Sequence, residues 1–514
     1  MVSRSAWLLL PILALGCSSL PPLGEVLLAV DTNLPVPRIV NQLRVDLYSL
    51  DGTTWIGSRE VPALEPSAWP VSFAVNLGAS AGARSVLVRL RAYPAGLVRD
   101  YRGERFSPRA APPALASQPA PIAPVPEGET PRLLAADGTD VTPPSEPNPW
   151  VTVDRLVRVD VTPGVAASAH VLLDGACAGT MADLASGTTC VGTENALDPI
   201  APVALDPQLA LPQTTVEGAF GATVPCTASA RPGTTLPDGT ELFDEEVCVP
   251  GRAFVFGTPY GFGYGTTSDV PERIVRLPPF RIDRYEVTVA RWRDALAKGL
   301  HATNGGPTVN DGPLDQTTAA TGCTWSDAPM GREALPLNCV DLADARALCT
   351  FLGGDLPTEA EWEYVALDVG RDSATQYPWG NEVPTCAQAV YGRRVEAQCA
   401  GMGEPLLCAC NTAGTGPIAV AAPTGDVALA TGVADLAGNL VELVRDSAAS
   451  FASACWAAQP LDSPSCQDPS VTAIDIRGGS WADSASALPA YLRLFASGTS
   501  RGTDQGFRCV REGP

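Results

Sequence analysis

Cysteine is the residue type that most constrains what this chain can fold into. Fourteen of its 15 cysteines lie between residues 177 and 509, and the remaining one is Cys17. Fourteen is an even number that could close seven bridges, whereas fourteen free thiols would be unusual, so we expect an oxidising compartment. A structural zinc site is the alternative. The chain has no CxxC motif and only two histidines, His170 and His301, which argues against zinc.

The N-terminal segment has the features of an export signal. Arg4 precedes ten mostly apolar residues, which are too few to span a bilayer but suit the core of a signal peptide. The stretch ALGC resembles the lipobox of bacterial lipoproteins, so residues 1–16 are expected to be a lipoprotein signal peptide and Cys17 the acylated anchor. An ordinary signal peptide with a chance cysteine is the alternative. Ser18 favours the outer membrane, because it is not the aspartate that typically retains lipoproteins at the inner one.

The charge balance excludes one class of partner. Lys and Arg total 34 against 56 Asp and Glu, a formal net charge of −22. Nucleic-acid binding needs a basic face, and attraction to anionic lipid head groups needs clustered Lys or Arg. We therefore expect no nucleic-acid partner, and a membrane association that depends on the lipid anchor.

The first part of the chain alternates apolar and polar residues with period two. Leu43, Val45 and Leu47 fall on one face, with Arg44 and Asp46 on the other. The same pattern recurs at Val71, Phe73, Val75 and Leu77, at Val86, Val88 and Leu90, and at Val157, Val159 and Val161. Such runs predict an antiparallel β-sandwich over residues 22–192, with the Pro-, Ala- and Ser-rich residues 107–149 as an extended insertion. The spacing of Cys177 and Cys190 suits a local disulfide there.

The C-terminal part has a different texture. A Pro-rich stretch, 193–224, is expected to link the sandwich to a domain over 225–512 that mixes short helices with Gly-, Pro- and Asp-rich loops. Helices are predicted to begin after Thr288, Asp341 and Thr358, the last with Glu361 completing a capping box. Because a compact domain with so much loop needs further support, disulfides or metal ions are expected in it.

Eight segments of this region recur together in a known family. They are CVPGRAFVFGT (248–258), FRIDRYEVTVARW (280–292), CVDLADARALC (339–349), LPTEAEWEY (356–364), YPWGN (377–381), DLAGNLVELVRD (435–446), RGGSW (477–481) and GFRCVR (506–511). In this order they resemble the formylglycine-generating enzyme family, also called sulfatase-modifying factors. The resemblance implies a loop-rich fold related to C-type lectins, and hence an α+β protein. The predicted sandwich lies outside the resemblance.

The resemblance also exposes a gap in the expected chemistry. Active members of the family oxidise a substrate cysteine to formylglycine, using oxygen and a copper ion held by two thiolates, the soft ligands that Cu(I) selects. Counted from GGS, the two cysteine positions correspond to Asp483 and Leu488, and residues 467–508 contain no cysteine at all. A carboxylate and a leucine make a poor Cu(I) site. The sequence therefore predicts no catalytic residues and no copper, which is the pattern of a pseudoenzyme.

A structural calcium ion is a second implication of the resemblance. In the family, a calcium ion is bound at the segment that corresponds to DLAGNLVEL. Carried over, the ligands are the side chains of Asp435 and Glu442 and the carbonyls of Gly438 and Leu440. Calcium takes six to eight hard oxygen ligands, which such a bend can gather. The alternative is a plain Asp-Gly turn held by its own hydrogen bonds.

The sequence and the resemblance predict only some of the disulfide pairs. Cys349 and Cys509 match a disulfide of the family. Local pairs are expected between Cys323 and Cys339 and between Cys455 and Cys466, whereas the connectivity of Cys386, Cys399, Cys408 and Cys410 cannot be deduced from the sequence.

Three functions compete on these grounds. The first is a non-catalytic, lectin-like binding or scaffold module for an unknown protein or glycan ligand, anchored to a bacterial cell envelope. The second is an oxidoreductase of the formylglycine-generating family with a relocated site, for which Cys408 and Cys410 are the best candidates. The third is a disulfide-hardened envelope component without a small ligand.

Overall fold

The computed structural model describes residues 24–76, 82–100, 132–208, 220, 222–257 and 272–513, apart from 320, 368, 370–374, 423 and 452. The predicted signal peptide and Cys17 lie outside these residues. The protein is of the α+β class, with many short strands, few helices and long connecting loops. Within the described residues no helix is both long and apolar enough to cross a membrane.

The N-terminal region is a sandwich of two sheets. Its strands are β1 (Glu25–Thr32), β2 (Gln42–Ser49), β3 (Trp55–Pro62), β4 (Val71–Asn76), β5 (Arg84–Tyr93), β6 (Val98–Asp100), β7 (Ser145–Pro147), β8 (Val153–Val161), β9 (Ala166–Leu173), β10 (Thr188–Thr189) and β11 (Asp198–Pro199). A three-stranded sheet of order β4-β1-β9 faces a four-stranded sheet of order β3-β2-β5-β8, and their apolar side chains form one core between them. The smaller pairs are β6 with β7 and β10 with β11.

Two features of the sandwich differ from the sequence prediction. The sandwich is not purely antiparallel, because β1 runs parallel to β9, with Glu25 opposite Ala166. Parallel neighbours need a long crossover, and here the whole of β2 to β8 lies between them. The expected linker also belongs partly to the sandwich: β11 pairs with β10, and Val203 donates its backbone N–H to the carbonyl of Arg158 at 2.9 Å.

The polar face of the four-stranded sheet is buried as well. Asp46 accepts hydrogen bonds from Arg44 and Arg91, and Arg91 also reaches Glu146 at 3.1 Å. All four side chains are almost inaccessible to solvent. Glu146 belongs to β7, inside the predicted insertion, so the described part of that insertion folds back over the sheet rather than extending from it. The alternation predicted correctly which residues share each face of the sheet. The polar face, however, is covered by other parts of the chain and its charges are paired with one another, whereas we expected it to contact solvent.

The C-terminal region contains the remaining elements. Its strands are β12 (Glu246–Val249), β13 (Arg252–Phe256), β14 (Arg273–Leu277), β15 (Phe280–Asp283), β16 (Val441–Ser447), β17 (Ala473–Arg477), β18 (Arg493–Ser497), β19 (Gln505–Gly506) and β20 (Val510–Glu512). Its helices are α1 (Val289–Ala297), α2 (Leu342–Phe351), α3 (Glu359–Ala366), α4 (Glu396–Met402) and α5 (Ala454–Ala457). The sheets have the orders β12-β15-β20, β13-β14 and β18-β17-β16-β19.

The predicted helix starts are confirmed. Thr288 and Asp341 accept hydrogen bonds from the third backbone N–H of α1 and α2. At α3, the Thr358 hydroxyl accepts from the N–H of Glu361, whose carboxylate accepts from the N–H of Thr358 at 2.7 Å. These caps fix where the three helices begin. Apolar side chains of α3 pack in one core and those of α1 and α2 in another, and residues of β16 belong to both.

Seven disulfides tie the fold together. They join Cys177–Cys190, Cys226–Cys248, Cys323–Cys339, Cys349–Cys509, Cys386–Cys410, Cys399–Cys408 and Cys455–Cys466. Four of these pairs are the ones that the sequence suggested. Cys349–Cys509 spans 160 residues and joins α2 to the segment that leads into β20. This bridge therefore closes the C-terminal domain on itself.

Candidate functional site

The RGGSW segment forms a tight loop directly after β17. Gly478 and Gly479 have backbone φ angles of +95° and +67°. A Cβ on Gly478 would lie 2.8 Å from the carbonyl oxygen of Leu436, and one on Gly479 would lie 2.8 Å from that of Ala487. Both the left-handed backbone and the close approach require glycine at these two positions.

The next residues of the loop run between the DLAGN turn and residues 390–394. Trp481 donates its backbone N–H to the carbonyl of Asn439 at 2.9 Å, and the carbonyl of Asp483 accepts from Gly392 at 2.7 Å. The Nε of Arg394 donates to the carbonyl of Ala482 at 2.7 Å. The loop is therefore held by backbone contacts to the DLAGN turn on one side and to residues 390–394 on the other.

The two positions that correspond to the family's cysteines lie in different surroundings. Asp483 is partly buried and accepts a hydrogen bond from the Ser480 hydroxyl at 2.7 Å. Leu488 is completely buried. Its neighbours in an apolar cluster include Tyr377, Ala389, Tyr391, Cys410 and Ala437. Leu488 is therefore a core residue, whereas Asp483 borders a cavity.

That cavity has a volume of about 280 Å³. It is lined by Val441, Ile476, Asp483, Arg493, Leu494, Phe495 and Asp504. Burial raises the pKa of Asp483 above its usual value, and the charge of Asp504 adds to the effect. Burial likewise raises the pKa of Asp504. A partly apolar cavity with two carboxylates thus stands where the family has its first thiol, and nothing in the sequence pattern marked Asp504.

Cys408 and Cys410, the best candidates for a relocated site, are both in disulfides. Cys386 bonds Cys410, and Cys399 bonds Cys408. Every cysteine among the described residues is in a disulfide. A disulfide sulfur is not a thiolate, and it is the thiolate that binds copper.

The turn predicted to hold calcium is organised around an arginine. Both oxygens of Glu442 accept from Arg508, Oε2 from its Nε at 2.7 Å and Oε1 from its Nη2 at 2.5 Å. The indole N–H of Trp362 also donates to Glu442, at 2.8 Å. Asp435 has a left-handed backbone, and its carbonyl accepts from Arg508 at 3.0 Å. Arg508 is the first arginine of the GFRCVR segment, and the sequence assigned it no role.

Further carboxylates surround this pair. Glu286 accepts from the backbone N–H of Leu440 at 2.8 Å and from the side chain of Asn439, while Asp426 accepts from the N–H of Ala437. Burial raises the pKa of Asp426 to about 8 and that of Asp435 to about 7, and it raises the pKa of Glu286 well above its usual value. The cluster therefore holds more carboxylates than Arg508 can neutralise.

As arranged, these residues do not fit the predicted calcium ion. Glu442 is taken up by Arg508 and Trp362, and the described residues contain no group of three or more carboxylate, histidine or cysteine side chains that converge as metal ligands. Hard oxygens are nevertheless the right donors for calcium. Binding would require Glu442 to be shared between Arg508 and the ion, and metal analysis of the folded protein checks this.

A second buried ion cluster lies beneath the RGGSW loop. Arg477, its first residue, pairs with Glu359 at 3.0 Å and with Glu363 one turn further along α3. Arg493 pairs with Glu359 at 2.5 Å and with Asp475. The sequence predicted a capped helix here but not that its glutamates face inward. Nothing near Arg477 in the chain indicated its partners, because Glu359 and Glu363 lie more than 110 residues before it.

The acids of this region predict a pH-dependent stability. Burial raises the pKa of Glu363 and Asp446 to about 7 and that of Glu272 to about 8. In the unfolded chain these groups titrate near pH ~4. A carboxyl group whose pKa is higher in the folded than in the unfolded state stabilises the folded protein fully at a pH below its unfolded pKa. This contribution is lost as the pH rises through the folded pKa values of about 7 to 8. The melting temperature should therefore be higher at about pH 5 than at about pH 8.5 at constant ionic strength. A higher melting temperature at the alkaline end would contradict this.

Comparison with known proteins relates the same region to formylglycine-generating enzymes. A family model for the sulfatase-modifying factor enzyme 1-like domain matches residues 233–513. The formylglycine-generating enzyme of Thermomonospora curvata is 31% identical over 307 residues, covering 53% of this chain and 95% of that protein. The formylglycine-generating enzyme of Streptomyces coelicolor is 32% identical over 182 residues, which cover 30% of this chain and 56% of that enzyme. The inactive C-alpha-formylglycine-generating enzyme 2 of Bos taurus is 27% identical over 296 residues, 51% of this chain and 87% of that protein.

Proposed function

Because the chain belongs to the sulfatase-modifying factor family through residues 233–513, we propose that it is a non-catalytic binding or scaffold module built on the frame of an oxidase. One observation carries this proposal: all 14 cysteines from Cys177 to Cys509 are joined in seven disulfides, which leaves no thiolate for copper. Its ligand would be a protein or a glycan.

The surroundings of the two family positions support the same conclusion. Asp483 offers a hard carboxylate in place of a soft thiolate, and Leu488 is sealed in an apolar cluster that also contains Cys410. The relative from Bos taurus bears the name of an inactive enzyme, so a member without activity has a precedent in this family. Function resides in the site and not in the fold, and here the site lacks both ligands.

Counting free thiols tests the proposal. The Cys17→Ala variant, unfolded in guanidinium without reductant, should contain no free thiol, and after reduction it should contain all 14. The control is the same protein reduced and alkylated before unfolding, which reports how many bridges the fold protects. Two free thiols in the unreduced variant would restore a pair of copper ligands and contradict the proposal.

An oxidoreductase with a relocated site remains the second candidate. The similarity to the formylglycine-generating enzyme of Thermomonospora curvata, which extends over 95% of that protein, favours it. Such an enzyme would have to open Cys386–Cys410 or Cys399–Cys408 to obtain thiolates. The exposed position of Cys386 makes the first of these bridges the more accessible to a reductant.

We also propose that Cys17 anchors the protein to a bacterial cell envelope, at the outer membrane. Two acyl chains on one residue give the stable attachment that a single chain does not. The Cys17→Ala variant should therefore appear in the soluble fraction, whereas the unchanged protein should stay with membranes after a high-salt wash. Retention of the variant in the washed membranes would contradict the lipid anchor.

A further inference from the structure

The cavity beside Asp483 has an unbalanced charge. Asp483 and Asp504 both line it. Arg493 also borders it, but this guanidinium is already neutralised by Asp475 and Glu359 and is almost inaccessible to solvent. Arg394 is the remaining cation that acts on both carboxylates. Two acids thus line a space that is open to a ligand, and Arg394, which influences both, is not among its lining residues.

Of the two acids that line the cavity, Asp504 has fewer hydrogen-bond partners than Asp483. Asp483 is held by the hydroxyl of Ser480, whereas within the described part of the chain no other residue donates a hydrogen bond to the Asp504 carboxylate. Its backbone is held in place, because its carbonyl accepts from the N–H of Val441 at 2.8 Å. The Asp504 carboxylate is partly buried, accepts a hydrogen bond from its own backbone N–H and lines the cavity, so it can still accept from a ligand.

The other walls of the cavity are apolar. Val441, Ile476 and Leu494 come from the neighbouring strands β16, β17 and β18, and they suit a chain of methylene groups. Phe495 belongs to the same lining but is 64% exposed, so it offers an aromatic surface at the rim. An aliphatic stem with a cationic head matches this combination of apolar walls and carboxylates.

The size of the cavity limits the ligand. Its volume of about 280 Å³ lies just below the range of roughly 300–1,000 Å³ that is typical of small-molecule sites. It accommodates one long side chain or a small amine rather than a nucleotide or an oligosaccharide. We propose that this cavity binds a primary ammonium or guanidinium group at the end of an aliphatic chain, as in lysine or arginine, with Asp504 and Asp483 as its acceptors. This inference rests on the proposed binding function and specifies the chemistry of its ligand.

Binding of small amides tests the inference on the full-length protein. N-acetyl-lysine N-methylamide and N-acetyl-arginine N-methylamide are titrated against N-acetyl-norleucine N-methylamide, which has a similar stem without charge. Either cationic amide should bind at least about tenfold more tightly than the norleucine amide, equivalent to about 1.4 kcal/mol. Pentylammonium separates the sources: weaker binding than the lysine amide indicates a side chain of a polypeptide, and equal binding indicates a free amine.

Variants assign the effect to the cavity. Asp504→Asn keeps the shape of the side chain and should weaken binding of the cationic amides at least about fivefold while leaving norleucine binding unchanged. Glu25→Gln, which removes one exposed charge from the sandwich, is the matched control and should bind like the unchanged protein. Equal affinity for the charged and uncharged amides, no binding up to about 20 mM, or an unaffected Asp504→Asn variant would each overturn the inference. None of these results would affect the thiol count, so the proposed loss of catalysis stands or falls separately.

Discussion

Replacing Arg508 by methionine should lower the free energy of unfolding by about 3–5 kcal/mol, the usual cost of removing one partner of a buried ion pair. The guanidinium donates to both oxygens of Glu442 and to the carbonyls of Asp283, Arg284, Ala434 and Asp435. It thus joins β16 to the segment after β15 and to the DLAGN turn. Without it, Glu442 remains buried beside other carboxylates and without its main counter-charge.

Two further variants separate the ion pair from general effects. Arg158→Met removes an arginine whose bidentate pair with Asp160 is more than one-third exposed, and it should cost no more than about 1 kcal/mol. Glu442→Gln, combined with Arg508→Met, should recover part of the lost stability because the orphaned charge is gone. Urea denaturation gives the free energy of unfolding of these three variants and of the unchanged protein. Equal losses for Arg508→Met and Arg158→Met would show that the buried cluster does not depend on Arg508.

Removing the Cys349–Cys509 disulfide should have an effect of similar size. The bridge closes a loop of 160 residues, for which chain entropy alone predicts a stabilisation of about 5 kcal/mol. Both cysteines are buried, so replacing them by alanine also leaves a small gap in the core beside α2. The double variant should therefore unfold at a much lower urea concentration than the unchanged protein.

The short bridge Cys399–Cys408 provides the control. It spans nine residues, and the same entropy argument gives a stabilisation of about 2.5 kcal/mol. Its double alanine variant should lose roughly half as much stability as the Cys349–Cys509 variant. The reverse order would show that the domain is not closed by the long bridge, and that the loop between residues 399 and 408 contributes more than its chain entropy.

Local sequence signals predicted the elements well where a short pattern determines them. The caps at Thr288, Asp341 and Thr358 need only residues within one helical turn, and the period-two runs predicted the strands of the sandwich. Short patterns did not predict which distant part of the chain packs on each face of the sheet. The alternation places Arg44 and Asp46 on the polar side of a strand, but residues about one hundred positions later in the chain cover them.

Of the candidate site, only the residues of the RGGSW loop itself could be predicted from the sequence. The spacing after GGS led to Asp483 and Leu488, and residue counting alone excluded thiols from the loop. The second acid of the cavity, Asp504, could not be found, because it comes from a different segment and belongs to no motif. Likewise, the resemblance assigns Glu442 to calcium, and nothing near Glu442 in the chain indicates that Arg508, 66 residues away, donates to its carboxylate.

The most direct test of the central claim is a turnover measurement. The purified protein, supplied with copper and oxygen, is incubated with a cysteine peptide of the sulfatase type, and the conversion of cysteine to formylglycine is followed by mass spectrometry. The formylglycine-generating enzyme of Thermomonospora curvata, treated in the same way, is the positive control. We predict a rate indistinguishable from that of buffer with copper, because every cysteine among the described residues is in a disulfide and no thiolate pair is left there to hold the metal. Measurable conversion that is abolished by replacing any one of Cys386, Cys399, Cys408 or Cys410 with serine would contradict this account and show that the catalytic site has moved.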